Sequence, residues 1–304
     1  MFPFIGRRWV LLELIFLGTG GGRIVMTTQM RWTGGIVLRG NDTQIHVDPG
    51  PGALVRALDL GINPQKTDAI IVSHAHLDHY GDCQILIEAM ARAATKKRGV
   101  LLGSSSALVG DEQYSRIISN YHLGLLEEKQ VLTPGSSFSI KGIKITATPA
   151  YHSDPSTVGL VIEEKENGAR IGYTSDTAYN QSLPLFYKDC ELFILCCLRP
   201  FGKPWKGHLS TDEVIPLVEE VKPSLTVLTH FGAAFLKANP EKQAKIVEKK
   251  TGIKTIAATD GMSIKLEEKE IFLKEKIDTK EKKEILVKKT GVIATQLTDF
   301  YSPK

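Results

Sequence analysis

The sequence predicts an α/β fold in which two mixed β-sheets face each other with helices outside. Three features predict it. Short β-branched runs dominate the first half of the 304 residues, strands and helices alternate after that, and the pattern falls into two similar halves. The chain is longer than a typical single domain, but layered α/β enzymes reach this length as one unit.

Strands are expected over 12–17, 35–39, 43–47, 69–72, 100–102, 137–140 and 143–148. Two more, 158–163 and 170–174, are joined by EKENG, whose Asn167-Gly168 pair supplies the positive φ angles of a tight hairpin turn. Later strands are expected over 192–197, 225–228, 255–257 and 263–266. A helix over 83–94 carries an apolar stripe of Ile85, Ile87, Ala89, Met90 and Ala93. A second, over 211–221, opens with Ser210 as N-cap and Glu213 three residues on, a capping box. A charged surface helix follows over 240–250. No internal repeat stands out.

Composition leaves the function open: 42% hydrophobic and 24% charged residues are ordinary for a globular protein. A net charge of +4 permits an anionic substrate without arguing for one. Cys83, Cys190, Cys196 and Cys197 show no C-x-x-C spacing, which predicts buried free thiols in a reducing compartment. The apolar stretch from Trp9 to Leu17 is too short to span a bilayer and has no small-residue cleavage site, so a cytoplasmic protein without a membrane partner is expected. One domain is expected over 12–266, after an extension of residues 1–11. Residues 267–304 read as a charged extension, a solvated helix or tail whose glutamates cancel most of its basic charge.

The chemistry concentrates in Ser73-His74-Ala75-His76-Leu77-Asp78-His79, between an expected strand and an expected helix. That address is the C-terminal edge of a sheet, where α/β sheets bind ligands. His74 and His76 are two apart and point the same way from extended backbone, while Asp78 and His79 lie where the chain turns and can face a second ion. Three imidazoles and a carboxylate within six residues form a donor set that suits zinc, with manganese or iron as alternatives. His152 in PAYHSD, Asp176 in GYTSDT and His230 in LTHFG each follow an apolar strand, the same address.

HAHLDH with a later His, Asp and His resembles the metallo-β-lactamase superfamily, and the likeness runs from about Leu12 to Leu266. It implies a four-layer αββα sandwich with two divalent metal ions between the sheets. By that likeness His74, His76 and His152 bind the first metal, Asp78, His79 and His230 bind the second, and Asp176 bridges both. Asp48 in HVDPGPG matches the early aspartate that orients a metal-binding histidine. Asp176 stands where true β-lactamases carry cysteine, and His76 where the di-iron flavoproteins carry glutamate, which argues against antibiotic hydrolysis and oxygen reduction.

His208 in GHLST lies 22 residues before His230 and resembles the His-Ser-Thr motif of ribonuclease Z and related phosphodiesterases, with Leu209 interrupting it. GTGGGR at 18–23 is similar to the ribonuclease Z start. Against tRNA processing, only 24 residues separate His152 from Asp176, too few for the tRNA-gripping arm, and the last motif reads HFGAAF rather than HFSxRY. His46 and His122 read as structural. The resemblance implies a phosphodiesterase or nuclease that uses a metal-bridging hydroxide, with Asp78 aligning it and His208 contacting the phosphate or protonating the leaving oxygen. The expected substrate is a phosphodiester or another small anion, with nucleic acid a further candidate. The rival reading is a carboxyl-ester, thioester or lactone hydrolase on the same ligands. A homodimer and the natural substrate stay open.

Overall fold

A computed structural model describes residues 12–40, 42–165, 168–267, 270–276, 282–288 and 296–297. The extension of residues 1–11 and Asn167 of the expected hairpin turn lie outside the described residues.

The first sheet begins with β1 (Leu12–Phe16), β2 (Ile36–Arg39), β3 (Gln44–Val47), β4 (Ala69–Val72), β5 (Val100–Ser104) and β6 (Glu128–Leu132). The second sheet holds β7 (Ser137–Ile140), β8 (Ile143–Pro149), β9 (Val158–Glu164), β10 (Arg170–Tyr173), β11 (Leu192–Arg199), β13 (Leu225–Thr229) and β14 (Thr255–Ala257), with the short β12 (Leu209–Ser210) beside β11. The chain then returns to the first sheet through β15 (Ser263–Leu266), β16 (Glu270–Lys276), β17 (Lys282–Lys288) and β18 (Gln296–Leu297), so that β15 pairs with β1. Both sheets are mixed, as expected: β3 to β6 are parallel neighbours, as are β10, β11, β13 and β14.

Alternation along the strands builds the layers. On β1, Leu12, Leu14 and Phe16 face the core between the sheets, while Ile15 packs with the helices outside. On β11, Leu192, Ile194 and Cys196 face inward, and Phe193, Leu195 and Cys197 face the other helical layer. With both faces covered, central strands read as unbroken apolar runs. The helices are α1 (Gly22–Thr28), α2 (Ala53–Asp59), α3 (Leu77–Tyr80), α4 (Cys83–Met90), α5 (Ser105–Leu108), α6 (Asn120–Gly124), α7 (Leu183–Phe186), α8 (Thr211–Val221), α9 (Ala233–Lys237) and α10 (Pro240–Thr251). The result is the expected αββα arrangement.

Three expectations need correction. The helix expected to reach Ala94 ends at Met90, because Arg92, Ala93 and Ala94 turn with φ of 53°, 54° and 57°. Its buried stripe is Cys83, Leu86, Ile87 and Met90, spaced i, i+3, i+4, i+7, and Ile85 is exposed. The charged stretch after Leu266 is not wholly a solvated helix or tail. Strand β16 pairs antiparallel with β15, and Ile271 and Leu273 enter the core between the sheets. In EIFLKEK the two-residue apolar spacing outweighs the surrounding charge, so the sheet continues past the boundary drawn at Leu266. Helix α8 starts as expected, with the Glu213 carboxylate accepting from the Ser210 N–H at 2.8 Å.

Candidate metal centre

Five strand ends build the site. Asp48 follows β3, His74 and His76 follow β4, His152 follows β8, Asp176 follows β10 and His230 follows β13. β3 and β4 are parallel, β10 and β13 run the same way, and β8 shares the direction of β10 because both pair antiparallel with β9. Parallel strands place their C-terminal ends along one edge, so residues far apart in sequence meet there. Asp48, Ser175 and His230 adopt φ of 51°, 52° and 60°, a left-handed bend that for a bulky histidine is costly and needs support. For His230 it comes from the Phe231 N–H donating to Thr19 O at 2.8 Å and the Gly21 N–H donating to Phe231 O at 3.1 Å.

The seven residues expected as ligands all come together. One donor atom each from His74, His76, His152 and Asp176 lies within 4.8 Å of the others, and the same holds for Asp78, His79 and His230. His74 Nε2 is 3.0 Å from His76 Nδ1, which is 3.1 Å from His152 Nε2. His79 Nε2 is 3.0 Å from His230 Nε2. Asp176 lies between the two groups: its Oδ2 is 3.5 Å from His79 Nε2 and 3.8 Å from His152 Nε2, and its Oδ1 is 3.2 Å from His230 Nδ1.

The outward-facing nitrogens have partners. The His79 Nδ1–H donates to Asp48 Oδ2 at 2.9 Å, and the His152 Nδ1–H donates to Gly207 O at 2.7 Å. His74 Nδ1 lies 3.0 Å from the Ser73 hydroxyl. These contacts leave the other nitrogen of each ring as a lone pair aimed inward, and fix the tautomer as partners of metal-binding histidines do. Asp48 therefore lies beside His79, one of the expected ligands. It also accepts from the Ser73 N–H at 2.7 Å and from the Tyr173 hydroxyl at 2.8 Å.

The electrostatics fit a cation. Burial, then the neighbouring His79, pushes the His74 pKa well down, and burial with His152 lowers that of His76. Burial opposes ionisation of Asp176, yet the imidazoles of His230, His208 and His79 hold its carboxyl well below the usual range. Burial likewise opposes ionisation of Asp78, and His230 and His79 outweigh it. Neutral imidazoles and ionised carboxylates are the forms a metal binds. His79 is the exception: burial disfavours its charge, but Asp48 and Asp176 raise its pKa well above that of a free imidazole. Asp176 Oδ1 and His230 Nδ1, both buried, have no hydrogen-bond partner, so the residues present fit metal ions.

His208 also reaches the centre. Its Nδ1 is 3.5 Å from Asp176 Oδ2, and its ring stands edge-on to His152 with centroids 4.7 Å apart. Leu209, which interrupts the expected motif, is buried and pairs with Cys197 across β11 and β12, anchoring the segment that presents His208. Burial lowers the His208 pKa to about 4, against the pull of Asp176. A cleft of about 1030 Å³ opens beside these residues, rimmed by Arg23, Tyr114, Arg199, Trp205 and Lys206.

Sequence reasoning missed several supports. Gly21 is needed because a Cβ there would sit 2.2 Å from the His230 ring. Fully buried Asp154 accepts from the Ala75 N–H at 3.0 Å and the Ser106 hydroxyl at 2.5 Å, holding the backbone between His74 and His76. Cys196 is also close to Asp176 and His230. Its thiol donates to Tyr173 Oη at 3.6 Å, and burial and Asp176 push its ionisation up, so it lines the site as a neutral group. All four cysteines are free and buried, as expected. His122 lies with Ser119 and Glu88, away from the site. Among the described residues no helix is long and apolar enough to cross a membrane.

Comparison with known proteins agrees with this picture. Residues 43–231 match the family described as the Beta-lactamase superfamily domain. An uncharacterized protein of Methanocaldococcus jannaschii is 39% identical over 257 residues, covering 84% of this chain and 95% of that protein. A protein of Staphylococcus aureus named as a metal-dependent hydrolase is 24% identical over 64% of this chain and 81% of its own length. Among solved structures, the metallo-beta-lactamase fold protein YhfI from Bacillus subtilis superposes with a TM-score of 0.70 at 20% identity, covering 84% of this chain and 99% of that one. A diphosphatase of the PhnP family does so at 0.64 and 18%, over 84% and 97%. The short form of human tRNase Z does so at 0.61 and 15%, over 83% and 98%. With more than half its length matched to the family, the chain belongs to the metallo-β-lactamase superfamily and is a metal-dependent hydrolase.

Proposed function

We propose that the chain is a binuclear phosphodiesterase, with zinc at both sites and manganese or iron as substitutes. His74, His76 and His152 hold one ion, Asp78, His79 and His230 the other, and Asp176 lies between them. When bound, two such cations would supply Lewis acidity and make a water nucleophilic near neutral pH. The residues do the rest. Asp48 keeps the proton of His79 on Nδ1, so that Nε2 faces inward. Asp78, whose Oδ2 accepts from the Gly22 N–H at 2.7 Å, is held in place to orient the attacking water as well as to bind metal.

The observation that carries the phosphodiester reading is the placement of His208. Its ring stands against His152 and Asp176 without a hydrogen-bond partner for Nδ1, so it can donate to a phosphate oxygen or to the departing alkoxide. Arg23, Arg199 and Lys206 around the cleft add cationic groups for an anionic substrate. The relatives named diphosphatase and tRNase Z share the fold, which makes phosphate compounds the first substrates to try. The short hairpin of β9 and β10 fills the interval between His152 and Asp176 and leaves no room for a tRNA-gripping arm, which favours a small phosphodiester.

The test is hydrolysis of bis-p-nitrophenyl phosphate beside a lactone and a thioester, by the wild type and by His208→Ala. Phosphodiester cleavage by a metal-loaded protein, lowered in the variant without loss of metal, is the expected result. Cleavage of the carbonyl substrates alone, indifferent to position 208, moves the reading to an ester, thioester or lactone hydrolase.

A further inference from the structure

Each imidazole of the first group needs a partner on its outward nitrogen, and for His76 that partner lies outside the sandwich edge. His76 Nδ1 faces His74 Nε2 and His152 Nε2, so the proton of the neutral ring belongs on Nε2. Tyr114 Oη lies 3.0 Å from that Nε2, placed to accept from it. His74 and His152 are held instead by the Ser73 hydroxyl and a backbone carbonyl.

The loop that carries Tyr114 is built to hold it. Asp111 Oδ1 accepts from the Gln113 N–H at 2.8 Å and the Tyr114 N–H at 2.7 Å, while the Asp111 N–H donates to Tyr114 O at 2.7 Å. Gly110, at φ +86°, lets the turn close where a Cβ would meet Arg116 N at 2.7 Å. The Gln113 amide donates to Tyr114 Oη at 3.1 Å, filling the second lone pair of the oxygen. With both lone pairs taken, the hydroxyl proton is free to point elsewhere, and Tyr114 lines the same cleft as His76, Asp176 and His208.

We propose that Tyr114 is a positioning residue of the metal centre: its hydroxyl accepts the His76 Nε2–H, fixing the tautomer and ring angle that turn Nδ1 toward the metal. This rests on the reading of His76 as a ligand. Tyr114→Phe keeps the ring and removes only the acceptor, so the ring's packing is retained.

The experiment strips wild type and Tyr114→Phe of metal, reloads each with zinc against a chromophoric chelator, and records the absorption of the cobalt-substituted forms. Melting of the metal-free proteins is followed alongside. The expected result is a roughly 10–100-fold loss of affinity for the zinc that His76 would hold, the range for removing a hydrogen-bond partner of a metal-binding histidine. Altered cobalt bands and an unchanged metal-free melting temperature should accompany it. Equal affinity and identical cobalt spectra overturn the proposal and leave the binuclear reading standing. A loss of affinity matched by melting of the metal-free fold assigns Tyr114 to packing and overturns it too. A wild type that takes up no metal overturns both.

Discussion

Two kinds of buried histidine occur in this fold, and their addresses on the strands separate them. His74, His79 and His230 lie beyond strand ends, where ring nitrogens from several strands converge on shared points. His46 lies inside β3, between Val37 and Ile70 on the neighbouring strands, facing the helical layer. It is fully buried, and neither ring nitrogen has a hydrogen-bond partner among the described residues. In the first group the nitrogen without a partner is His230 Nδ1, which faces the Asp176 carboxylate, and a cation would satisfy it. Those of His46 face apolar neighbours, and no group among the described residues there would hold an ion. An imidazole becomes a candidate ligand through the company its strand end keeps.

The strongest way to break that contrast is at Asp176, the carboxylate between the two groups. Asp176→Asn should lower activity by at least on the order of 10²–10³, as removal of a preorganised electrostatic group does, and should cost metal as well. An active variant with a full metal complement would show that Asp176 does not join the groups. His208→Ala comes next. Loss of a fixed hydrogen-bond donor at a phosphate is worth roughly 10²–10³-fold in turnover, with metal content unchanged. If metal falls in parallel, His208 belongs among the ligands. Asp48→Asn should weaken metal binding roughly 10–100-fold by releasing His79, and unchanged affinity would mean the buried carboxylate serves only the fold.

The smallest effect should come from His46 and should leave metal binding untouched. Burial, with Arg39 nearby, lowers the His46 pKa to about 3, whereas an unfolded chain protonates near 6.5. Between these values the unfolded state binds a proton that the folded state refuses, so stability declines as pH drops below 6.5 and the decline stops near 3. His46→Leu removes this term. The stability of the variant relative to wild type, from denaturant unfolding, should rise by about 2 kcal/mol between pH 8 and pH 5, at 1.36 kcal/mol per pH unit below 6.5. A difference that stays constant with pH would contradict the burial of a neutral imidazole.

Much of the centre was legible in the sequence, for a local reason. His74, His76, Asp78 and His79 are nearly contiguous, and His152, Asp176 and His230 each follow an apolar strand, so every candidate ligand carried its own marker. Among the supports, Asp48 in HVDPGPG carried a marker and the others did not. The Tyr173 hydroxyl reaches Asp48 across 125 residues, and a lone tyrosine in a strand gives no sign of it. Gly21 belonged to a glycine-rich turn that was noticed, but only packing shows that its missing Cβ makes room for His230. Among the strands, β6 was missed because its EKQVL is a polar edge, half exposed. Strand β16 was missed because lysines and glutamates surround Ile271 and Leu273. Charge on an edge strand marks its solvent face and says little about whether it pairs.

Elemental analysis of the purified protein for zinc, manganese and iron, with Asp176→Asn prepared in parallel, tests the binuclear centre most directly. Close to two metal ions per chain in the wild type, and fewer in the variant, is the result predicted here. A wild type that stays metal-free after incubation with zinc, or one that binds a single ion unaffected by the loss of the Asp176 carboxylate, would contradict it.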